Sequence, residues 1–123
     1  MQSFGAHTRC NSSLPLALNE LAILLVARDW TAQFVWWAHR RIAEEAGLPV
    51  ALIQAIANQT PKPKNLPADV NSVFEFCNEL IQTRKVSDST FAEVTKHFGE
   101  RGVVDLMAII FYTLVSMSLN VDA

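Results

Sequence analysis

The stretch from Glu20 to His39, ELAILLVARDWTAQFVWWAH, decides how the rest of the chain is read. It opens on an acid inside a nearly unbroken apolar run and closes on a histidine behind two tryptophans. From Leu14 to Ala27 only Pro15, Asn19 and Glu20 interrupt the apolar residues. Proline suits a first helical turn, so this run reads as a helix of about four turns, apolar almost all round and therefore central. It is too short to cross a bilayer, which takes roughly 20 apolar residues. Asp29 is placed to cap a second helix running to about Ala46, and Gly47 then stands where a helix end wants a left-handed residue.

The remaining segments repeat the helical pattern. Leu48 and Pro49 open a shorter helix, PVALIQAIAN. Residues 59–67, QTPKPKNLP, hold three prolines and two lysines and read as a surface connection within one domain. In 68–84 the residues Val70, Val73, Phe74, Cys77, Leu80 and Ile81 recur at spacings of three and four, an amphipathic helix. Ser87 or Asp88 can cap the next helix, DSTFAEVTKHFG, which Gly99 or Gly102 ends. The final segment, VVDLMAIIFYTLVSMSLN, carries one charge, Asp105, and is apolar on every side. Such a helix near a terminus is expected to be buried against a second subunit, with a membrane helix as the rival reading. No stretch alternates with period two. The expected fold is all-α, about six helices, with 1–13 an irregular lead-in and 14–123 a single domain.

Composition narrows the function classes. The chain has 123 residues, half of them hydrophobic and 18% charged, which is a globular balance. A net charge of -2 with scattered Lys and Arg makes no electrostatic case for nucleic acid. Cys10 and Cys77 are far apart and form no CxxC, so neither a metal cage nor a redox pair is spelled out. The N-terminus has no apolar core of a signal peptide, so a cytoplasmic protein is expected. Gly-rich phosphate loops, HExxH and GxSxG are all missing, and neither a metal nor a cofactor is implied.

One constellation could do chemistry. On a helix Ala32, Val35, Trp36 and His39 stand at i, i+3, i+4 and i+7 and share a face. Histidine is the usual proton carrier near neutral pH; the bland alternative is a core histidine bonded to a backbone carbonyl. Glu20 shares its own helical face with Ile23, Leu24 and Ala27, and carboxylates rarely sit unpaired among such neighbours. If the two helices run antiparallel, Glu20 and His39 reach each other or one ligand. A structural buried pair, or a Glu20 turned to solvent, stays open on these grounds. Trp36 is the candidate pocket floor beside His39, lined further by Ala32 and Val35. Trp30, Phe34 and Trp37 fall on another stripe, where packing is the plainer reading. Arg40–Glu44 and Arg41–Glu45 mark an outer face at i,i+4, and Asp105 suits a first helical turn.

The segment ELAILLVARDWTAQFVWWAHRRIAEEAGL resembles the carboxymuconolactone decarboxylase family, which includes the alkyl hydroperoxide reductase D-type (AhpD-like) proteins. The likeness rests on an acid in an apolar helix, a VAR helix end, an aromatic-AH segment and an AGL exit. FEFCNELIQTRKVSDSTFAEV and the later FYTLVSMSLN fit the family's C-terminal half, so the likeness spans roughly residues 14–121. It implies an AhpD-like helical bundle and a homo-oligomer, dimer, trimer or hexamer, acting on a small molecule. In the peroxidase branch a glutamate precedes a CxxC and a histidine follows it; Glu20 and His39 match, but Ala32 and Val35 hold the cysteine positions. Thiol chemistry needs an attacking and a resolving cysteine, and neither is there. The decarboxylase branch lacks the CxxC and fits better. By that resemblance the chain is a cofactor-independent decarboxylase for a carboxylated lactone or related acid, with His39 stabilising charge and Glu20 delivering a proton. Arg28, Arg40 and Arg41 are candidate cations for an anionic substrate. A non-catalytic oligomeric binding scaffold is the other alternative.

Overall fold

Pro15, Pro49 and Pro67 each stand immediately before a helix, in extended backbone with ψ of 147°, 128° and 148°. A proline there loses no helical hydrogen bond, because its missing N–H has no intrahelical partner to give up. The computed structural model describes residues 13–119. Among them are five helices and no strand: α1 Leu16–Asp29, α2 Gln33–Glu45, α3 Val50–Asn58, α4 Ala68–Thr83 and α5 Asp88–Ser118. The chain is all-α over these residues. The sixth helix of the sequence reading is the second half of α5. Gly99, at φ 73° and ψ 178°, breaks the helical path without ending it. Only glycine enters that region at low cost. Phe98 stands so close to Gly102 that a Cβ on Gly102 would overlap that of Phe98.

The centre of the fold is α1. Every residue from Leu18 to Ala27 is buried, and the helix packs against each of the other four. Its largest sealed side chains, Leu21, Ile23 and Leu24, meet Val35 and Ala43 of α2, Leu52 and Ile53 of α3, Val73 and Phe76 of α4, and Leu106 and Ile109 of α5 in one core. Burying such a side chain contributes roughly 1.5–3 kcal/mol, so the run of buried residues in α1 is a large contributor to stability.

The end of α1 differs from the expectation that Asp29 caps α2. Asp29 is the last residue of α1, and Ala32, which has no side chain to cap with, precedes α2. The turn is instead closed by the backbone: Thr31 N–H donates to the Arg28 carbonyl and Ala32 N–H to that of Ala27. This pattern needs a left-handed residue, and Thr31 supplies it at φ 54°. Gly47 and Gln59 close α2 and α3 the same way, Gly47 as its position suggested. Ser87 caps α5, accepting from Thr90 N–H at 3.3 Å. Glu79 of α4 braces the same end: its carboxylate accepts from Ser87 N–H at 2.8 Å and from the Thr90 hydroxyl.

The proline-rich segment is tied down rather than free. Lys62 reaches Glu75 at 2.9 Å, bonds Asn71 and sits 5.2 Å from the Phe74 ring centroid, all on α4. Asp105, expected in a first turn, lies further along because the helix continues through Gly99; its carboxylate accepts from Ser13 N–H at 2.7 Å. By length and composition α5 is the one described helix that could cross a membrane. One of its faces, Leu106, Ile109, Ile110 and Thr113, is buried in the protein's own core. The opposite stripe, Val104, Met107 and Phe111, is open, so the helix is not covered on every side within one chain.

Candidate proton-transfer site

The antiparallel arrangement of α1 and α2 follows from the three-residue turn between them, and it sets the two ends of the opening stretch side by side. His39 Nδ1 lies 2.9 Å from Glu20 Oε1 and 3.2 Å from Oε2. Both residues are sealed, Glu20 at 1% exposure and His39 at 3%. The alternative of Glu20 turned to solvent is thereby removed. With both oxygens facing one ring nitrogen, the imidazole donates Nδ1–H to the carboxylate. That fixes the tautomer and leaves Nε2 as the working nitrogen. Among the described residues no hydrogen bond is made by Nε2.

A carboxylate paired in this way in an apolar core is costly to desolvate and is held by short charge-assisted bonds. Its surroundings are Ile23, Leu24 and Ala27 on α1 and Val35 and Ala43 on α2, none of which competes for it.

The three pocket candidates separate. Ala32 and Trp36 line a cleft of about 270 Å³ with Ala27, Arg28, Thr31, Gln33 and Ala57. Val35 is buried in the core and lines none of the four main clefts, nor do Glu20 and His39. Trp36 is half-buried against the core and stands about one helical turn before His39. Trp30, Phe34 and Trp37 are not packed: Phe34 is 64% and Trp37 70% exposed.

Of the candidate cations, Arg40 is taken by Glu44 at 3.1 Å on the outer face of α2, and Arg41, also exposed, makes no ion pair among the described residues. Arg28 is different. It is half-buried, and its Nε donates to the Ala57 carbonyl at 3.0 Å. The sequence reading missed Thr31, whose left-handed backbone forms the lip of that cleft; a β-branched residue in that region leaves no pattern of its own.

Cys77 lies fully buried in α4, and burial pushes its thiol up to about 12. Cys10 and His7 lie outside the described residues. No group of His, Cys, Asp and Glu among the described residues is arranged to hold a metal. Compared with protein-family models, curated proteins and solved structures, the chain matches none.

Proposed function

We propose that this chain is a cofactor-independent, decarboxylase-like enzyme of AhpD-like architecture, in which Glu20 and His39 move a proton to or from a small carboxylated lactone or related acid. The observation that carries it is the sealed contact of 2.9 and 3.2 Å between one imidazole nitrogen and both oxygens of one carboxylate. Loss of carbon dioxide from such an acid breaks the C–C bond and leaves the electron pair on a delocalised carbanion. The carbanion then takes a proton. In this reading the donor is His39 protonated on both nitrogens: Nδ1–H stays on the Glu20 carboxylate, which compensates the ring's charge, Nε2–H passes to the carbanion, and solvent returns that proton after each turnover, rather than direct delivery by Glu20. The resemblance of the α1–α2 segment to the decarboxylase branch supports the reaction class.

Thiol peroxidase chemistry is disfavoured on two counts. Ala32 and Val35 stand at the cysteine positions, and Cys77 is too deeply buried to form a thiolate near neutral pH. The open Val104–Met107–Phe111 stripe supports a homo-oligomer in which a second copy covers α5. The binding-scaffold reading is favoured by one observation, that the pair lines none of the main clefts.

The test is substrate depletion followed by mass spectrometry, over carboxylated lactones, β-keto acids and organic hydroperoxides, with Glu20→Gln and His39→Ala alongside. Loss of one carbon dioxide mass, abolished in both variants, is the expected result. Peroxide consumption that survives both variants would return the thiol reading. No turnover by folded protein would leave the scaffold.

A further inference from the structure

The cleft at the α1–α2 turn has a one-sided chemistry. Among the described residues its lining is Ala27, Arg28, Thr31, Ala32, Gln33, Trp36 and Ala57, with Arg28 the single charged residue; Arg28 also borders the neighbouring cleft, which Asp29 lines. The Arg28 guanidinium is held in place through Nε by the Ala57 carbonyl at 3.0 Å, and among the described residues no carboxylate pairs with it. A half-buried arginine is normally neutralised by an acid, because a cation partly removed from water needs a counter-charge. Its position in the last turn of α1 suits the helix dipole but does not supply that counter-charge. The remaining fork of N–H donors matches a carboxylate in a bidentate manner. Beside it, the Trp36 indole offers a flat apolar surface, and Ala27, Ala32 and Ala57 leave room above it.

We infer that this cleft is a carboxylate subsite for a flat, unsaturated or aromatic acid, with Arg28 gripping the carboxylate and Trp36 supporting the ring. The inference rests on the proton-transfer reading for its place in the reaction. Arg28 is eight residues from Glu20, about 12 Å along α1, whereas Trp36 is three residues from His39, about 4.5 Å along α2. A ligand held by Arg28 therefore points its far end toward the imidazole and keeps its anion away from Glu20. The carboxylate held by Arg28 is a spectator. A carboxylate about to leave as carbon dioxide gives up its charge, and a firm ion pair would oppose that.

The test is benzoate titrated against benzamide, its uncharged analogue, followed by amide chemical shifts and tryptophan fluorescence of the whole protein. Wild type is expected to bind benzoate saturably, with shifts centred on residues 27–36, and to bind benzamide far more weakly. Arg28→Gln should weaken benzoate about tenfold or more, as for loss of a charged hydrogen-bonding partner, and Arg28→Lys should weaken it less. Arg40→Gln should leave it unchanged. Equal binding of the two ligands, unchanged affinity in folded Arg28→Gln, or no saturable benzoate binding at millimolar concentration would overturn the subsite. Benzoate binding without turnover of any acid would remove the reaction and keep the subsite. Turnover indifferent to Arg28→Gln would do the reverse.

Discussion

Removing one member of the Glu20–His39 pair should damage the fold more than removing both. His39→Leu leaves a carboxylate that is 1% exposed, with neither of its oxygens bonded to the imidazole that now holds both. An uncompensated buried charge of this kind costs about 3–5 kcal/mol, a large share of the roughly 5–15 kcal/mol that holds a domain together. For a chain of this size that is a fall in Tm of roughly 10–20 °C. Glu20→Leu leaves a neutral imidazole with one unpartnered N–H, about 1–3 kcal/mol. The double variant Glu20→Leu/His39→Leu leaves neither, and its apolar side chains join Ile23, Leu24, Val35 and Ala43. Its stability should lie within about 2 kcal/mol of wild type, above that of His39→Leu, while every activity of the site is gone. Urea denaturation of the four proteins at pH 7, read by far-UV circular dichroism, measures the coupling, expected at roughly 2 kcal/mol or more. Additive losses would refute the reasoning: the two groups would then be independently anchored, and no proton-sharing unit would exist.

Thr31→Gly should stabilise the protein by about 0.5–1 kcal/mol, since the left-handed turn costs a β-branched residue more than glycine's extra chain entropy does; thermal denaturation checks it, and a loss would mean the side chain is held by more than the turn. Gly102→Ala should destabilise by about 1–3 kcal/mol, because the new methyl would overlap Phe98, and a neutral result would show that the bend at Gly99 relaxes freely. Cys77 should resist thiol reagents at pH 8 until urea unfolds the chain. Its folded pKa, raised to about 12 by burial, lies above its ordinary value, so the unfolded thiol loses its proton first as pH rises. Stability from this group is complete below about pH 8.5 and falls by up to roughly 1.4 kcal/mol per pH unit above it; a Cys77→Ala variant should lack that slope.

Much of this was legible in the chain because helical periodicity and a few end signals are local properties. The apolar run into α1, the glycine at position 47 and the serine at 87 each carry their meaning within one or two turns. So did the pairing of Glu20 and His39, once two helices were joined by a short turn, because antiparallel packing leaves an acid in an apolar helix one place to find a partner. What could not be read depends on distant contacts. Asp29 has the chemistry of a cap, yet the backbone bonds of Thr31 and Ala32 end α1 first and leave it outside the helix it was expected to start. Val35 shares a helical face with Ala32 and Trp36, but packing against α1 takes it inward while they border a cleft. Trp30, Phe34 and Trp37 had the spacing of a core stripe, and only the placement of α1 on the other side of α2 leaves them open.

The burial of the pair bears directly on whether it is there for chemistry. A core containing Leu21, Leu24, Leu52, Val73 and Leu106 has no packing need for a carboxylate, and a leucine at position 20 would fill the same space without desolvating a charge. A buried pair is therefore a poor stabiliser, and the proposed proton-transfer role would account for its energetic cost. The same burial demands a route. Neither residue borders a main cleft, and the nearest cleft residue along α2 is the half-buried Trp36, about one helical turn from His39. If substrate reaches Nε2 by that route, Trp36→Ala should widen access while removing the ring's support. The sign of its effect then separates two steps. KM for an acid should rise through lost stacking, whereas the rate of solvent exchange at the His39 ring, followed by NMR, should increase. A faster exchange with unchanged KM would place the route elsewhere; a slower exchange would mean that Trp36 holds the pair rather than guards it.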